Sequence, residues 1–197
     1  MQHYKFSPFP FHFVSVSVWL DSSSSALTFY FTVVFGMNDV YDYSTDSRNP
    51  RKILNKLEGG VLQPKYRSLV CISARLSTIF ILGVSLFTRR LHNTLAITCL
   101  LFLSWQYSVP PLRLKEIPVI DSMSNGLIVF LTWFCGFSFS QLTLDKVLQK
   151  GLVLSLCTSG IHALGAMVDA SADTAAGQRT IATALGQRPA ALFSCIC

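Results

Sequence analysis

Long apolar runs, separated by short polar segments, set the pattern of this chain. The runs predict five membrane-crossing helices, because about 18 or more apolar residues in succession are typical of a span. We place them at about residues 26–46, 68–88, 94–107, 122–141 and 151–168. Apolar stretches before residue 20 and after Ile181 predict fragments of further helices, the first of them interrupted at Asp21–Ser25.

The polar segments contain the residues that end helices. Residues 48–67 form a predicted loop with prolines and a Gly-Gly pair. Pro110 and Pro111 end the third helix, so residues 108–118 should be extended or irregular. In an extended segment Arg113 and Lys115 lie on the same side, because side chains two residues apart do so. Asp121 or Ser122 is the predicted N-cap of the next helix.

Composition supports a membrane protein of one domain. The 197 residues are 51% hydrophobic and 13% charged, whereas charged residues make up about a quarter of soluble domains. The net charge of +6 does not indicate nucleic-acid binding, because the basic residues lie in loops between the apolar runs. The six cysteines show neither metal-ligand spacing nor a disulfide framework.

Three oxygen-bearing side chains follow the first apolar run at intervals of four residues. Asn38, Asp42 and Asp46 share one face of the predicted helix, because a step of four residues drifts by only about 40°. Neighbouring carboxylates repel each other unless a cation lies among them. Mg²⁺ prefers oxygen ligands and commonly keeps a phosphate as co-ligand. A solvated acidic helix end is the alternative.

The same spacing returns after the last long run. Asp169 and Asp173 again form a pair four residues apart at the end of an apolar helix. Two such pairs, each at the end of an apolar helix, arise by chance far less readily than one. Together they predict a site that holds a diphosphate through metal ions.

Counting the predicted crossings places these motifs on one side of the membrane. Segments 38–46, 107–115 and 169–173 are separated by even numbers of spans, so they share a side. Their side carries Arg48, Arg51, Lys52, Lys56, Lys65, Arg67, Arg113, Lys115, Arg179 and Arg188, and the other side carries Arg89, Arg90, Lys146 and Lys150. The positive-inside rule therefore predicts that the motifs face the cytoplasm, or the matrix or stroma of an organelle.

A diphosphate with an apolar tail fits this arrangement. Arg113 would bind it through a planar fork and Lys115 as a point charge. Metal ions and cations stabilise a departing diphosphate. The allylic cation left behind is attracted to aromatic faces, for which Tyr41, Trp105 and Tyr107 are candidates.

The three motifs, in this order, resemble the UbiA superfamily of intramembrane prenyltransferases. They are Asn38-Asp39-x-x-Asp42-x-x-x-Asp46, Tyr107-Ser108-x-Pro110-Pro111-x-Arg113-x-Lys115 and Asp169-x-x-x-Asp173. The resemblance covers about residues 26–189. Residues 38–52 and 107–126 look most similar to the branch near the lycopene elongases.

The resemblance implies an all-α, multi-span transmembrane bundle with a central cavity. It implies Mg²⁺-dependent transfer of a prenyl group from a prenyl diphosphate to a hydrophobic or aromatic acceptor within the lipid bilayer. The predicted metal ligands are Asn38, Asp42, Asp46, Asp169 and Asp173. The predicted catalytic residues are Tyr107, Arg113 and Lys115, and the predicted substrate-binding residues are Arg51, Arg113, Lys115 and Asn125.

The family has more spans than the five placed here. We therefore expect residues 1–197 to form a single partial domain, incomplete at both ends. In many members a further acidic residue follows the second acidic motif, about where Ala176 stands here. An alternative hypothesis is a truncated, non-catalytic relative that binds a prenyl lipid or a partner. A transporter is disfavoured, because the polar groups gather at one face of the membrane.

Several local alternatives stay open. Arg51 would reach either the diphosphate or lipid headgroups, and Tyr107 would be either catalytic or an interfacial anchor. Asn125 would line the cavity or form a hydrogen bond between helices. His162 is expected to pack within the bundle or to make a polar contact there, rather than to bind a metal.

Overall fold

The chain folds as a bundle of α-helices. The computed structural model describes residues 13–48, 60–139 and 144–197, and the surroundings of side chains over residues 28–48, 60–139 and 148–197. Within these ranges no strand occurs, and the predicted all-α fold is confirmed. The helices are α1 (Phe13–Asp46), α2 (Arg67–Phe87), α3 (Leu91–Ser108), α4 (Ile120–Phe137), α5 (Leu144–Ala176), α6 (Ile181–Leu185) and α7 (Gln187–Ile196), with 3₁₀ turns at Pro64–Tyr66 and Leu114–Glu116.

Three segments in the described ranges are long and apolar enough to cross a membrane. They are Pro64–Phe87, Ile120–Phe137 and Leu148–Ala176. Large apolar side chains stay exposed on the bundle, for example Ile79 (67% exposed) and Val168 (78% exposed). Apolar surface on this scale fits the hydrocarbon of a bilayer, since soluble monomers rarely expose large contiguous apolar patches.

The first helix is continuous, and the predicted interruption at Asp21–Ser25 is wrong. α1 runs without a break from Phe13 to Asp46. Serine and aspartate are only a few tenths of a kcal/mol poorer helix formers than the best residues, and neither proline nor glycine occurs in this segment. Residues 1–12 lie outside the described ranges.

The start of α4 also corrects the prediction. The helix begins at Ile120, two residues earlier than expected, and ends at Phe137 rather than near residue 141. The N-cap position is held by Val119 at φ 72°, and no side chain caps it. Asp121 lies in the first turn, where its carboxylate Oδ1 accepts the backbone N–H of Ser122 at 2.5 Å. The carboxylate therefore accepts a first-turn N–H that has no partner within the helix, although Asp121 lies inside the helix and not at the N-cap.

The connection between α3 and α4 is irregular rather than extended. Arg113 adopts a left-handed conformation with φ 41°, and a 3₁₀ turn follows at Leu114–Glu116. The peptide bond between Pro110 and Pro111 is cis. Arg113 and Lys115 were expected to point the same way, and both side chains do reach Asp42. The 3₁₀ turn brings them there, whereas the prediction had assumed an extended segment.

The long helices pack mainly against their neighbours in sequence. α1 packs against α2 and α3, α3 against α4, and α4 against α5, while α5 also contacts α6 and α7. α4 and α5 lie close together at Gly126, where an added Cβ would lie 2.1 Å from Ser159 Oγ. A small core of Ala163, Ile181 and Ala190 fixes the C-terminal helices on α5.

The two ends of the bundle are distinct. Arg90, in the turn between α2 and α3, donates a hydrogen bond to the carbonyl of Ser138 just after α4, at 3.0 Å. The buried Asn93 amide also donates to Ser138 Oγ at 2.9 Å. The α2–α3 turn and the end of α4 therefore lie together, as the counting of crossings requires. The three sequence motifs meet at the opposite end.

Candidate functional site

A cavity of about 390 Å³ lies where the ends of α1, α3 and α5 meet the α3–α4 connection. The sequence-predicted residues on its wall are Asn38, Asp42, Asp46, Tyr107, Lys115, Asp169 and Asp173. Further wall residues include Glu116, Asp121, His162, Gln178 and Arg179.

Lys115 joins the basic segment to the first acidic motif. Its ammonium donates a hydrogen bond to Asn38 Oδ1 at 3.1 Å and forms a very short ion pair with Asp42 Oδ1. The side chains of Lys115 and Asp42 are only 10% and 6% exposed. Burial lowers the pKa of the Lys115 ammonium, and the adjacent Asp42 carboxylate counteracts part of that shift. A cation is thus built into the acidic wall of the cavity.

Asn38 is oriented by a second donor. Ser108, at the end of α3, donates its hydroxyl to Asn38 Oδ1 at 3.1 Å. The carbonyl oxygen of the amide therefore faces two donors, Ser108 and Lys115. These contacts also show how the Tyr-Ser pair that ends α3 supports the site on α1.

Arg113 approaches Asp42 from outside the cavity wall. Its guanidinium lies 3.8 Å from Asp42 Oδ1 and 2.5 Å from Glu116 Oε1. Its Nε is buried and has no hydrogen-bond partner among the described residues. The positive charge of Arg113 therefore offsets the negative charge of Asp42, and its Nε–H stays available to donate to a further acceptor.

The second acidic motif lies in the last two turns of α5, with Asp173 in the final turn before the helix ends at Ala176. Asp173 is 7% exposed and Asp169 lines the same cavity. Gly177, at φ 77°, ends the helix in a left-handed conformation that suits glycine. The loop then turns back, and the Gln178 amide lies 3.4 Å from the hydroxyl of Thr45 on α1. The loop thereby closes the cavity between α1 and α5.

A chain of hydrogen-bonded polar groups connects α3, α4 and α5 beside the cavity, and its members Tyr107 and His162 lie on the cavity wall. Asn125 Nδ2 donates to the Tyr107 hydroxyl at 2.9 Å, and His162 Nε2 lies 3.4 Å from the same oxygen. His162 Nδ1 in turn lies 3.1 Å from Ser122 Oγ. The Tyr107 ring is thus held from two sides, and His162 makes the polar bundle contact that the sequence predicted.

The donor set suits a hard cation such as Mg²⁺. The candidate ligands on the two facing helices are carboxylate and amide oxygens, with no thiol among the cavity-lining residues. Within the described residues, no three His, Cys, Asp or Glu side chains are gathered around a single point. Mg²⁺ typically takes one or two carboxylates and completes its shell with water and phosphate oxygens, so separated acids fit an ion shared with a diphosphate.

The structure brings most of the predicted residues together but not all. Arg113 lies behind the cavity wall, and Asn125 reaches it through the hydroxyl of Tyr107. Arg51 lies outside the described residues. The roles of all ten residues as ligands or catalysts stay predictions.

Sequence reasoning missed two groups on the wall. Asp121 was predicted only as a helix cap, although a carboxylate at the start of an apolar helix is itself a signal of a site. Arg179 was counted only among the basic residues on its side of the membrane, and Gln178 was given no role, although the turn-forming Gly177 before them is a signal that the chain changes direction.

Comparison with known proteins agrees with the resemblance of the motifs. Residues 6–197 match the family model described as "UbiA prenyltransferase family". A lycopene elongase/hydratase of Haloferax volcanii is 34% identical over 173 residues, which are 83% of this chain and 53% of the relative. A lycopene elongase/hydratase of Corynebacterium glutamicum is 30% identical over 168 residues, which are 85% of this chain and 58% of the relative.

A third relative has a different name. The C(50) beta-cyclic carotenoids biosynthesis protein LbtBC of Dietzia sp. is 30% identical over 169 residues, 85% of this chain and 39% of the relative. The chain thus spans about half the length of the curated relatives it matches. No solved structure gives a significant match. With the family model covering nearly its whole length, and with helices suited to crossing a bilayer, this chain is an integral membrane protein that belongs to the UbiA prenyltransferase family.

Proposed function

We propose that this chain transfers a prenyl group from a prenyl diphosphate to a hydrophobic acceptor within the membrane, with Mg²⁺ as cofactor. The observation that carries the proposal is the meeting of two acidic motifs and Lys115 on one cavity. A site with the four aspartates of the two motifs and the largely buried ammonium of Lys115 suits a diphosphate that arrives with divalent ions. Exposed apolar surface around the bundle suits a lipophilic tail and acceptor.

The donor head would be held between α1 and α5. Asn38, Asp42 and Asp46 on one side, and Asp169 and Asp173 on the other, are the proposed Mg²⁺ ligands. Bound Mg²⁺ would neutralise the diphosphate and make it a better leaving group. Lys115 would exchange its contact with Asp42 for a phosphate oxygen, and Arg113 would supply further positive charge.

Tyr107 would face the cation that forms when the diphosphate leaves. Its ring lines the cavity, and its hydroxyl is fixed by Asn125 and His162. A fixed aromatic face stabilises positive charge by up to about 2 kcal/mol where water is excluded. Asn125 would thereby act on the substrate indirectly, as a positioning residue. Arg51 stays a proposed contact of the diphosphate.

The acceptor class is proposed from the relatives. Two of those described above are named lycopene elongase/hydratase and one is named for carotenoid biosynthesis. We therefore favour a long polyene over an aromatic ring as acceptor. By the distribution of basic residues the cavity would face the cytoplasm, or the matrix or stroma.

The test is direct transfer. Membranes from cells that express the 197-residue chain are supplied with radiolabelled dimethylallyl diphosphate, lycopene and Mg²⁺. The proposal expects label in a more hydrophobic product and none with EDTA in place of Mg²⁺. Donor binding without turnover would support the non-catalytic alternative. If the chain neither binds the donor nor transfers label, both prenyl transfer and prenyl-lipid binding are rejected.

A further inference from the structure

One buried acid on the cavity wall has no part in holding the donor. Asp121, in the first turn of α4, is 1% exposed and lines the cavity. Its Oδ1 accepts the Ser122 N–H at 2.5 Å, but its Oδ2 has no hydrogen-bond partner among the described residues. A buried polar atom without a partner costs roughly 1–3 kcal/mol or more, so its retention needs an explanation.

The position of Asp121 keeps its carboxylate available. The Ser122 N–H holds Oδ1 in the first turn of α4, and Oδ2 keeps its lone pairs unengaged among the described residues. Lys115 forms its ion pair with Asp42 instead. A carboxylate oxygen with an unengaged lone pair has the character of a general base.

Asp121 also lies beside the residues proposed to face the reacting cation. Asn125 Nδ2 is shared between the Asp121 carbonyl, at 3.1 Å, and the Tyr107 hydroxyl, at 2.9 Å. The next residue, Ser122, contacts His162, which also reaches Tyr107. Asp121 and Tyr107 therefore belong to one fixed array on the same cavity.

The remaining acids on the wall are engaged elsewhere. Asp42 is paired with Lys115. Glu116 is paired with Arg113 at 2.5 Å, and the Glu116 side chain is half-exposed. Asp46, Asp169 and Asp173 belong to the proposed metal sites. Asp121 is the acid on this wall that is both buried and unassigned.

Prenyl transfer to a C=C bond requires a proton to leave. The donor C–O bond breaks and its electron pair departs with the diphosphate. The acceptor C=C supplies the pair for the new C–C bond, which leaves a cation on the neighbouring acceptor carbon. A proton must then leave the adjacent carbon, so that the C–H pair forms a new C=C.

We propose that Asp121 is the base that takes this proton from the acceptor. The inference rests on the proposed prenyl transfer and adds a catalytic residue on the acceptor side of the cavity. The proton then passes from the Asp121 carboxyl to the released diphosphate or to water, which restores the carboxylate. If the carboxylate is absent, water adds to the cation instead and an alcohol is formed.

The test separates ionisation of the donor from loss of the proton. Asp121→Asn, Asp121→Glu and Asp145→Asn are compared with the parent chain, using dimethylallyl diphosphate, lycopene and Mg²⁺. Released diphosphate, alkylated alkene and alkylated alcohol are measured separately. Asp145 serves as the matched control because it is an acid in the first turn of α5, at the other end of that helix from Asp169 and Asp173.

The expected result is a change in product rather than a loss of ionisation. Asp121→Asn should release diphosphate within about threefold of the parent chain, while the alkene falls about 100-fold or more, as expected for loss of a general base. The fraction of alcohol should rise. Asp121→Glu should restore part of the alkene, and Asp145→Asn should resemble the parent chain.

Three outcomes would overturn the inference. An unchanged alkene yield in Asp121→Asn would exclude Asp121 as the base while leaving prenyl transfer intact. Parallel loss of diphosphate release in Asp121→Asn and Asp121→Glu would assign the residue a structural role. If the parent chain releases no diphosphate, the proposed function fails and this inference fails with it.

Discussion

Lys115 Nζ donates a hydrogen bond to Asn38 Oδ1 at 3.1 Å, across 77 positions of sequence. The contact joins the connection after α3 to the end of α1. It places a cation among oxygens that are candidates for holding Mg²⁺.

The first prediction concerns Asp42. Asp42→Asn keeps the size of the side chain but removes a charge that balances Lys115 and Arg113. We expect prenyl transfer to fall by about 100-fold, since several kcal/mol of charge stabilisation are lost. Transfer of labelled dimethylallyl groups to lycopene measures this. Asp145→Asn, in the first turn of α5 at the other end of that helix from Asp169 and Asp173, is the matched control, and equal losses in both variants would contradict the account.

The second prediction concerns the charge of Lys115. Burial places its pKa below the usual lysine range, so the amine loses its proton earlier as the pH rises. The affinity for a diphosphate should therefore be complete at neutral pH and decline in an alkaline window below that usual range. Lys115→Arg stays charged and should abolish the decline. The Kd of inorganic diphosphate, measured with Mg²⁺ from pH 7 upward, tests this.

Removing the Lys115 charge at neutral pH gives a simpler test. Lys115→Met should weaken diphosphate binding about tenfold, which corresponds to about 1.4 kcal/mol. Lys150→Met is the control, because Lys150 is exposed on α5 far from the cavity wall. The same loss in both variants would point to a general effect of net charge.

The third prediction separates the two roles left open for Tyr107. If its ring stabilises a cation, Tyr107→Phe should keep transfer within about threefold, while Tyr107→Leu should lose about tenfold or more. Loss of the hydroxyl frees Asn125 and His162, which adds a small cost to both variants. Tyr66→Leu, on an exposed 3₁₀ turn, is the control. Equal activity of the Phe and Leu variants would exclude a role for the ring.

The fourth prediction concerns the contact between α4 and α5. Gly126→Ala would place a Cβ 2.1 Å from Ser159 Oγ and 2.5 Å from the Ser155 carbonyl, so the helices must separate. We expect a loss of about 1–3 kcal/mol in the free energy of unfolding. Gly136→Ala on the same helix meets no atom within 4 Å and should be neutral or stabilising. Thermal unfolding in detergent compares the two, and similar midpoints would contradict the packing.

The sequence predicted the elements well where they depend on local patterns. The four-residue spacing of Asn38, Asp42 and Asp46 does place them on one helix, and the same holds for Asp169 and Asp173. Helix ends were less accurate, because Asp121 satisfies backbone groups from inside the first turn of α4. The serines at residues 22–25 were wrongly taken to interrupt the first helix, which runs from Phe13 to Asp46.

The site was predictable in part, because its residues occur in motifs with a recognisable order. The array of Tyr107, Asn125 and His162 was not, because three helices must pack before those side chains meet. Nor does local spacing reveal that Gln178 turns back to Thr45. Such contacts depend on tertiary packing, which a single sequence does not encode in its spacing.

The central claim is that the two acidic motifs act on the same diphosphate, and a double-mutant cycle tests it most directly. Asp42→Asn, Asp173→Asn and the double variant are compared by their affinity for inorganic diphosphate with saturating Mg²⁺. The account predicts that the losses are coupled, so that the double variant differs from the sum of the single losses by more than about 0.5 kcal/mol. Losses that add within about 0.5 kcal/mol, or no loss from either residue, would contradict it.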